Sequence, residues 1–324
     1  MAKFDPRSYR VYLMNSKYKH ILVEGKDDKY LVERLYQDFL AETGKHTENQ
    51  IHVDSADDFI KGDELIPFSN NRQKVKYIAN SVIGKPYSGK FIGFVDRELD
   101  EFEWDYEYHS ELKDIINTHD IIKRLILSRG HSIENYIFDI SILCDVLESL
   151  SSITYTNQVI HNFRETFEST LRIACSVGLA ASKAQVLQKA DSTIDYSLLE
   201  IASSTEVAFE FEEWVKKLVD KGISTTQEQN LRLNYIAYNE QVAKASMSLV
   251  KWICPGHIGF DFIKALYERC VLDMCPSTKD KNKERSGITW ASKKLLYTCI
   301  NYWVKKSPQN QDDYPRVISE LLGL

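Results

Sequence analysis

A short apolar run, Ile21, Leu22 and Val23, stops at Glu24 and Gly25, and an amphipathic stretch begins directly behind it. Apolar residues without alternation read as a buried strand of a parallel sheet, because only a strand covered on both faces needs no polar side. Leu31, Leu35 and Phe39 then recur at helical spacing with Val32 beside them, and Asp27 or Asp28 can cap a helix over about 27–41. A strand that turns through glycine into a helix is the start of a β-α-β unit, so the chain is expected to build an α/β sheet. Such sheets bind ligands beyond the carboxyl ends of their strands. Glu24 stands at that position. Gly25 lets the backbone turn without a Cβ clash, so the carboxylate can project into a cleft.

The pattern then repeats. Residues 51–53 read as a second strand, followed by Asp54, Asp57 and Asp58, which suit a solvated turn and helix cap better than catalysis. A second helix is expected over about 71–83, with Val75, Ile78, Ala79 and Val82 on one face and Gly84 and Pro86 as its stop. Residues 91–95 form another apolar strand, ending in Asp96 and Glu98. Along extended chain, residues i and i+2 point the same way, so both carboxylates can face one cleft and Arg97 should point away. Crowded carboxylates repel unless a cation neutralises them, and oxygen-only ligands suit Mg²⁺ or Mn²⁺. A further apolar run within 121–127 leads through Ser128, Arg129 and Gly130 into His131, Ser132, Ile133, Glu134, Asn135 and Tyr136. His131 and Glu134 share a helical face; a cap made by Ser132 with Asn135 accounts for the same residues.

At 324 residues, 43% hydrophobic and 27% charged, the chain has the composition of a globular protein of one large or two ordinary domains. A net charge of −6 argues against binding nucleic acid with the whole surface, so any such contact must be local. The basic candidates are Lys3, Arg7, Arg10, Lys17 and Lys19, in an N-terminal stretch that reads as an edge segment, and 279–285, which reads as a solvated loop. The six cysteines include no CxxC and sit at apolar positions, as buried thiols of a reducing cytoplasm would, and a structural zinc is not expected. No signal-peptide core or membrane span is visible, so a cytoplasmic location without membrane contact is expected. Residues 99–110 are acidic and aromatic and read as a surface loop. Beyond about 139 the periodicity is helical almost throughout, with spans near 140–150, 157–177, 206–219, 226–243, 260–272 and 288–304. The expected domains are therefore 1–140 and a helical 141–324.

Taken together, residues 18–140 resemble the TOPRIM superfamily. Val23 to Asp28 looks like its first signature, a strand-end Glu followed by Gly, and Val95, Asp96, Arg97 and Glu98 look like the second, usually Asp-x-Asp. Glu98 departs from that pattern. With the segment from His131 to Tyr136 and a helical second half, the chain is similar to OLD-like TOPRIM nucleases and to the TOPRIM effectors of PARIS anti-phage systems. The resemblance implies a TOPRIM-like, Rossmann-like parallel sheet flanked by helices, followed by a mostly α-helical region serving as partner or dimer interface. It implies a Mg²⁺- (or Mn²⁺-) dependent nuclease, silenced by an ABC-type ATPase and freed on phage sensing, which cleaves RNA (transfer RNA in particular) to arrest translation, and which can act as a homodimer. Glu24, Asp96 and Glu98 become the metal-ligand candidates, and Glu24, Lys26 and Glu134 the catalytic ones, with Lys26 placed for a phosphate oxygen. The alternatives are an OLD-type DNA nuclease, or a catalytically weak module whose task is to bind the ATPase. The stretch 101–108 and the C-terminal helices are the expected docking surface for that partner.

Overall fold

The computed structural model describes residues 5–43, 51–59, 70–99, 121–275, 277–289 and 292–306. Lys3 and the stretch 101–108 lie outside them. The described residues form two compact units: 5–99 with 121–129 and 304–306, and those within 130–303. The expected boundary after 140 falls at the start of a helix of the second unit.

The first unit is built on a five-stranded sheet. Strands β1 (Lys19–Val23), β2 (Ile51–Ser55), β3 (Phe91–Val95) and β5 (Leu125–Leu127) run parallel in the order β2-β1-β3-β5, and β4 (Ile121–Ile122) adds an antiparallel edge to β5. Every residue of β3 is buried, whereas the edge strand β2 alternates, as covering on two faces and exposure at an edge require. Helix α2 (Lys26–Thr43) connects β1 to β2, and α3 (Asn71–Val82) lies between β2 and β3. The chain steps from β1 outward to β2, then returns past β1 to place β3 on its other side. Right-handed crossovers in opposite directions put α2 and α3 on opposite faces and open a crevice where the strand order reverses, between the carboxyl ends of β1 and β3. Glu24 and Asp96 directly follow those two strands.

Between the sheet and α3, Leu22, Phe91, Val95, Leu125 and Leu127 pack against Val75, Ile78, Ala79 and Val82. Gly93 lies in the same layer, where a Cβ would stand 2.8 Å from Val75 Cγ1 and 3.1 Å from Leu125 Cδ1. Gly93→Ala should therefore cost about 1–3 kcal/mol through overpacking, read as a lower urea midpoint at unchanged m-value.

The N-terminal stretch is a helix and not an edge segment. Helix α1 (Pro6–Asn15) starts at Asp5, whose carboxylate accepts from the Arg7 and Ser8 N–H groups while the Ser8 hydroxyl accepts from Asp5 N–H. Its apolar side, Tyr9 and Leu13, joins the same core.

The second unit is mostly helical: α4 (Ile140–Leu150), α5 (Thr156–Lys183), α6 (Leu187–Ala190), α7 (Phe211–Asp220), α8 (Thr225–Lys244), α9 (Met247–Ile253), α10 (Gly256–Met274), α11 (Thr278–Thr289) and α12 (Ser292–Lys306), the last crossing into the first unit's residues at its end. Helix α5 is the axis, packing on α4, α8, α9 and α10. Its Gly178 admits the ring of Pro255, which would lie 2.7 Å from a Cβ there. Three expectations need correction. The span 206–219 divides into a strand, β7 (Val207–Phe209), paired with β6 (Leu199–Ile201), and helix α7. The span 288–304 takes in the end of α11 and most of α12, and 279–285 belongs to α11, where Glu284 is buried and accepts from Tyr267 Oη at 2.7 Å. All six cysteines are buried free thiols. Among the described residues no helix is long and apolar enough to cross a membrane.

Candidate active site

Glu24 leaves the end of β1 and reaches across to β3, where its Oε1 accepts the Asp96 N–H at 2.9 Å. The two strand ends are thus joined by the side chain the sequence singled out. Burial pushes the Glu24 carboxyl up to about 8, the Asp28 carboxylate adds to the shift, the Asp96 N–H bond opposes it, and Glu98 raises it further. At neutral pH Glu24 is therefore mostly protonated, poised to give or take a proton near the working pH of a cell.

Asp28, in the first turn of α2, is buried and accepts the Gly25 N–H at 2.8 Å. A Cβ at Gly25 would lie 3.2 Å from Asp28 Oδ2 and 3.7 Å from Asp57 Oδ2, so both carboxylates flank the turn that carries Glu24. Asp57, expected only as a turn residue, is held by Asn71, whose Nδ2 donates to Oδ1 at 2.6 Å. Lys26 opens α2 and is exposed.

Glu98 does not continue the extended path of β3. It has a left-handed backbone, φ 56°, and its Oε2 accepts a hydrogen bond from Arg72 Nη1. Arg72 is buried and also donates from Nη2 to the Arg97 carbonyl at 2.6 Å, so one guanidinium fixes both the turn and the carboxylate that follows it. Arg97 itself is buried and held by Ser128, its backbone N–H donating to Ser128 Oγ at 2.9 Å and its Nε to the Ser128 carbonyl at 3.0 Å.

Glu134 belongs to the second unit, with neighbours from that unit. The segment Ile133–Ile137 is a short 3₁₀ helix opened by the Ser132–Asn135 capping pair that the sequence offered as an alternative. Glu134 is not part of that cap. Its buried carboxylate accepts from Ser132 Oγ at 2.6 Å and lies 3.2 Å from His257 Nδ1, at the start of α10.

Among the described residues, no three His, Cys, Asp or Glu side chains converge to hold a metal ion. The donors around Glu24 are nevertheless all oxygen. Mg²⁺ keeps several waters and commonly takes only one or two carboxylates plus substrate phosphates, so this donor set fits such a cation without forming a protein cage. The negative charges of Asp28 and Glu98 that add to the effect of burial on Glu24 are also what a bound cation would neutralise. No protein-family model and no curated protein matches the chain.

Sequence reasoning missed Asp28, Asp57, Asn71 and Arg72 as parts of this end of the sheet. Each sits just beyond a parallel strand or in the first turn of a connecting helix, and every such β-to-α junction opens at the carboxyl end of the sheet.

Proposed function

We propose that the chain is a divalent-cation-dependent nuclease of the TOPRIM type that cleaves RNA, transfer RNA in particular. The observation that carries this reading is Glu24: a carboxyl raised to about 8, bonded to the Asp96 backbone beside Asp28 and Glu98, at the reversal point of a parallel sheet. Phosphodiester cleavage needs charge neutralisation on the phosphate, a positioned nucleophile and a proton for the leaving oxygen. Asp96 with Glu24 or Glu98 would hold Mg²⁺, which would supply the neutralisation. Glu24 delivers or accepts the proton, its raised pKa keeping both forms populated near neutrality. The exposed Lys26 binds a non-bridging phosphate oxygen. Arg72 keeps Glu98 oriented in the meantime.

The resemblance adds a setting: an ABC-type ATPase subunit holds the nuclease silent, phage sensing releases it, and the freed chain acts as a homodimer. The second reading, a catalytically weak module that binds the ATPase, draws support from the Glu98 carboxylate already being engaged by Arg72. Incubating the purified chain with separate RNA and DNA pools, with Mg²⁺, Mn²⁺ or EDTA, decides among them. RNA cleavage that EDTA stops is expected. DNA cleavage alone would move the assignment to the OLD-type reading, and intact pools in all conditions would leave the binding module.

A further inference from the structure

The sheet of the first unit is charged oppositely at its two ends. Acids gather beyond the carboxyl ends of the strands, and cations gather at the amino ends. Lys17 precedes β1 and Lys19 opens it, Lys85 and Lys90 lie in the junction before β3, and Lys123 and Arg124 form the turn before β5. Two contacts join these junctions into one rim: Lys90 Nζ donates to the Ser16 carbonyl at 2.9 Å, and Arg124 Nε to Ser88 Oγ at 3.2 Å. Residues 16–19, 83–90 and 123–124 carry six cations and no acid, on a chain whose net charge is −6. Lys17 and Lys19 are among the cations that the sequence offered for a local contact.

Part of this charge is already in use. Lys90 neutralises the carboxyl end of α1, and Arg124 braces the junction before β3. Lys17, Lys85 and Lys123 are exposed, and none of the three pairs with a carboxylate among the described residues. Lys123 also holds a left-handed backbone, φ 59°, in a turn pinned by the bond from Gly93 N–H to the Arg124 carbonyl at 2.8 Å. Glycine would take that conformation without strain, so the lysine stands there at a cost to stability. Unpaired like charges along one edge repel one another, and an anionic partner relieves them. The rim offers no exposed large apolar side chain to enter lipid. Strand β1 is five residues long, about 17 Å, so a ligand that touches both the rim and the strand-end acids must be long and charged along its length. A nucleic acid strand has that form, whereas a globular acidic protein presents its carboxylates as scattered side chains.

We propose that the amino-end rim is an RNA-backbone anchor, in which Lys17, Lys85 and Lys123 bind phosphates of the substrate at a distance from the bond that is cut. The choice of RNA rests on the nuclease reading; the affinity of the rim for an anionic strand does not.

Anisotropy titration of the full chain with a fluorescent transfer RNA in EDTA, at several salt concentrations, measures the anchor without cleavage. The triple variant Lys17→Gln, Lys85→Gln, Lys123→Gln should bind at least about 10-fold more weakly, with a melting curve that confirms a folded chain. Its slope of log K against log salt should fall by about 2, since each phosphate contact contributes about 0.7–0.9. In Mg²⁺ its KM for that RNA should rise by a similar factor with kcat retained, and hydrolysis of bis-p-nitrophenyl phosphate, too small to reach the rim, should be unchanged. Lys123→Gly alone should weaken RNA binding and raise the melting temperature together, a pairing that a structural role for the lysine would not produce. Absence of RNA binding, or wild-type affinity and slope in the triple variant, overturns the proposal. Lysine-dependent binding to phosphatidylserine vesicles or to polyglutamate, with none to RNA, gives the rim another partner and overturns it as well. Lysine-dependent RNA binding by a chain that cleaves nothing keeps the anchor and removes the nuclease reading, so the two failures are separate results.

Discussion

Glu24→Gln is expected to reduce cleavage by about 10²–10⁴-fold while leaving the fold intact, since a positioned acid–base group contributes on that scale. The substitution preserves shape and can still accept the Asp96 N–H, so the loss isolates proton transfer and charge from packing. It carries a second signature in stability. Glu24 titrates near 8 in the folded chain against an ordinary 4.5. Below about pH 4.5 both folded and unfolded chains hold the proton, and the group is neutral to stability. Between 4.5 and 8 the unfolded chain releases its proton first, so the wild-type protein should lose stability as pH rises, levelling off above 8. A glutamine side chain has no such proton to lose, and the variant should lack this slope in urea midpoints measured across the window. A cation bound beside Glu24 must displace the same proton, so Mg²⁺ should stabilise the wild-type chain more at pH 8 than at pH 6 and the variant equally at both. Equal slopes in the two proteins would show that Glu24 is not a buried acid of raised pKa.

The parts of the fold that the sequence disclosed are those set by burial. A strand covered on both faces cannot hide its apolar run, so β1 and β3 were legible, and with them the strand-end carboxylates Glu24 and Asp96. What escaped was set by local hydrogen bonding or by distance. Helix α1 is polar on most of its length, and its signal was the Asp5–Ser8 cap with Pro6 at the first helical position. Strands β6 and β7 have three residues each, too few for alternation to rise above chance. Glu98 was placed by extending strand geometry past Val95, and its left-handed backbone breaks that extrapolation. Arg72 could not be paired with Glu98 from sequence, because a salt bridge between residues this far apart leaves no periodic trace. The cap weighed for the segment around Glu134 is made by Ser132 and Asn135 alone, while the Glu134 oxygens are engaged by Ser132 and His257, partners that lie too far along the chain or too close in it to leave a pattern.

Gly256→Ala is expected to have the largest effect on stability. At the first residue of an ordinary helix, alanine would be favoured over glycine by up to about 1 kcal/mol. Here a Cβ would fall 2.0 Å from Ser132 Oγ, 2.6 Å from Glu134 Oε2 and 3.0 Å from Glu134 Cβ. Neither neighbour can yield cheaply. Ser132 and Glu134 are buried and bonded to each other, and Asn135 ties the same segment to the Lys251 and Cys254 carbonyls at 2.6 and 2.8 Å. The Glu134 carboxylate also rests at the amino end of α10, where the helix dipole favours it. Opening this knot should cost about 3 kcal/mol or more, visible as a lower and broader thermal transition of the second unit. Adding Ser132→Ala removes the nearest atom and should restore part of the loss, but not all of it, because the Glu134 contacts remain. Glu134→Gln keeps the volume and removes the charge, so a purely electrostatic role at the amino end of α10 predicts a loss of about 1 kcal/mol with cleavage retained. Cleavage that vanishes from a Glu134→Gln chain of near wild-type stability would give this carboxylate a part in the chemistry beyond holding α10 in place.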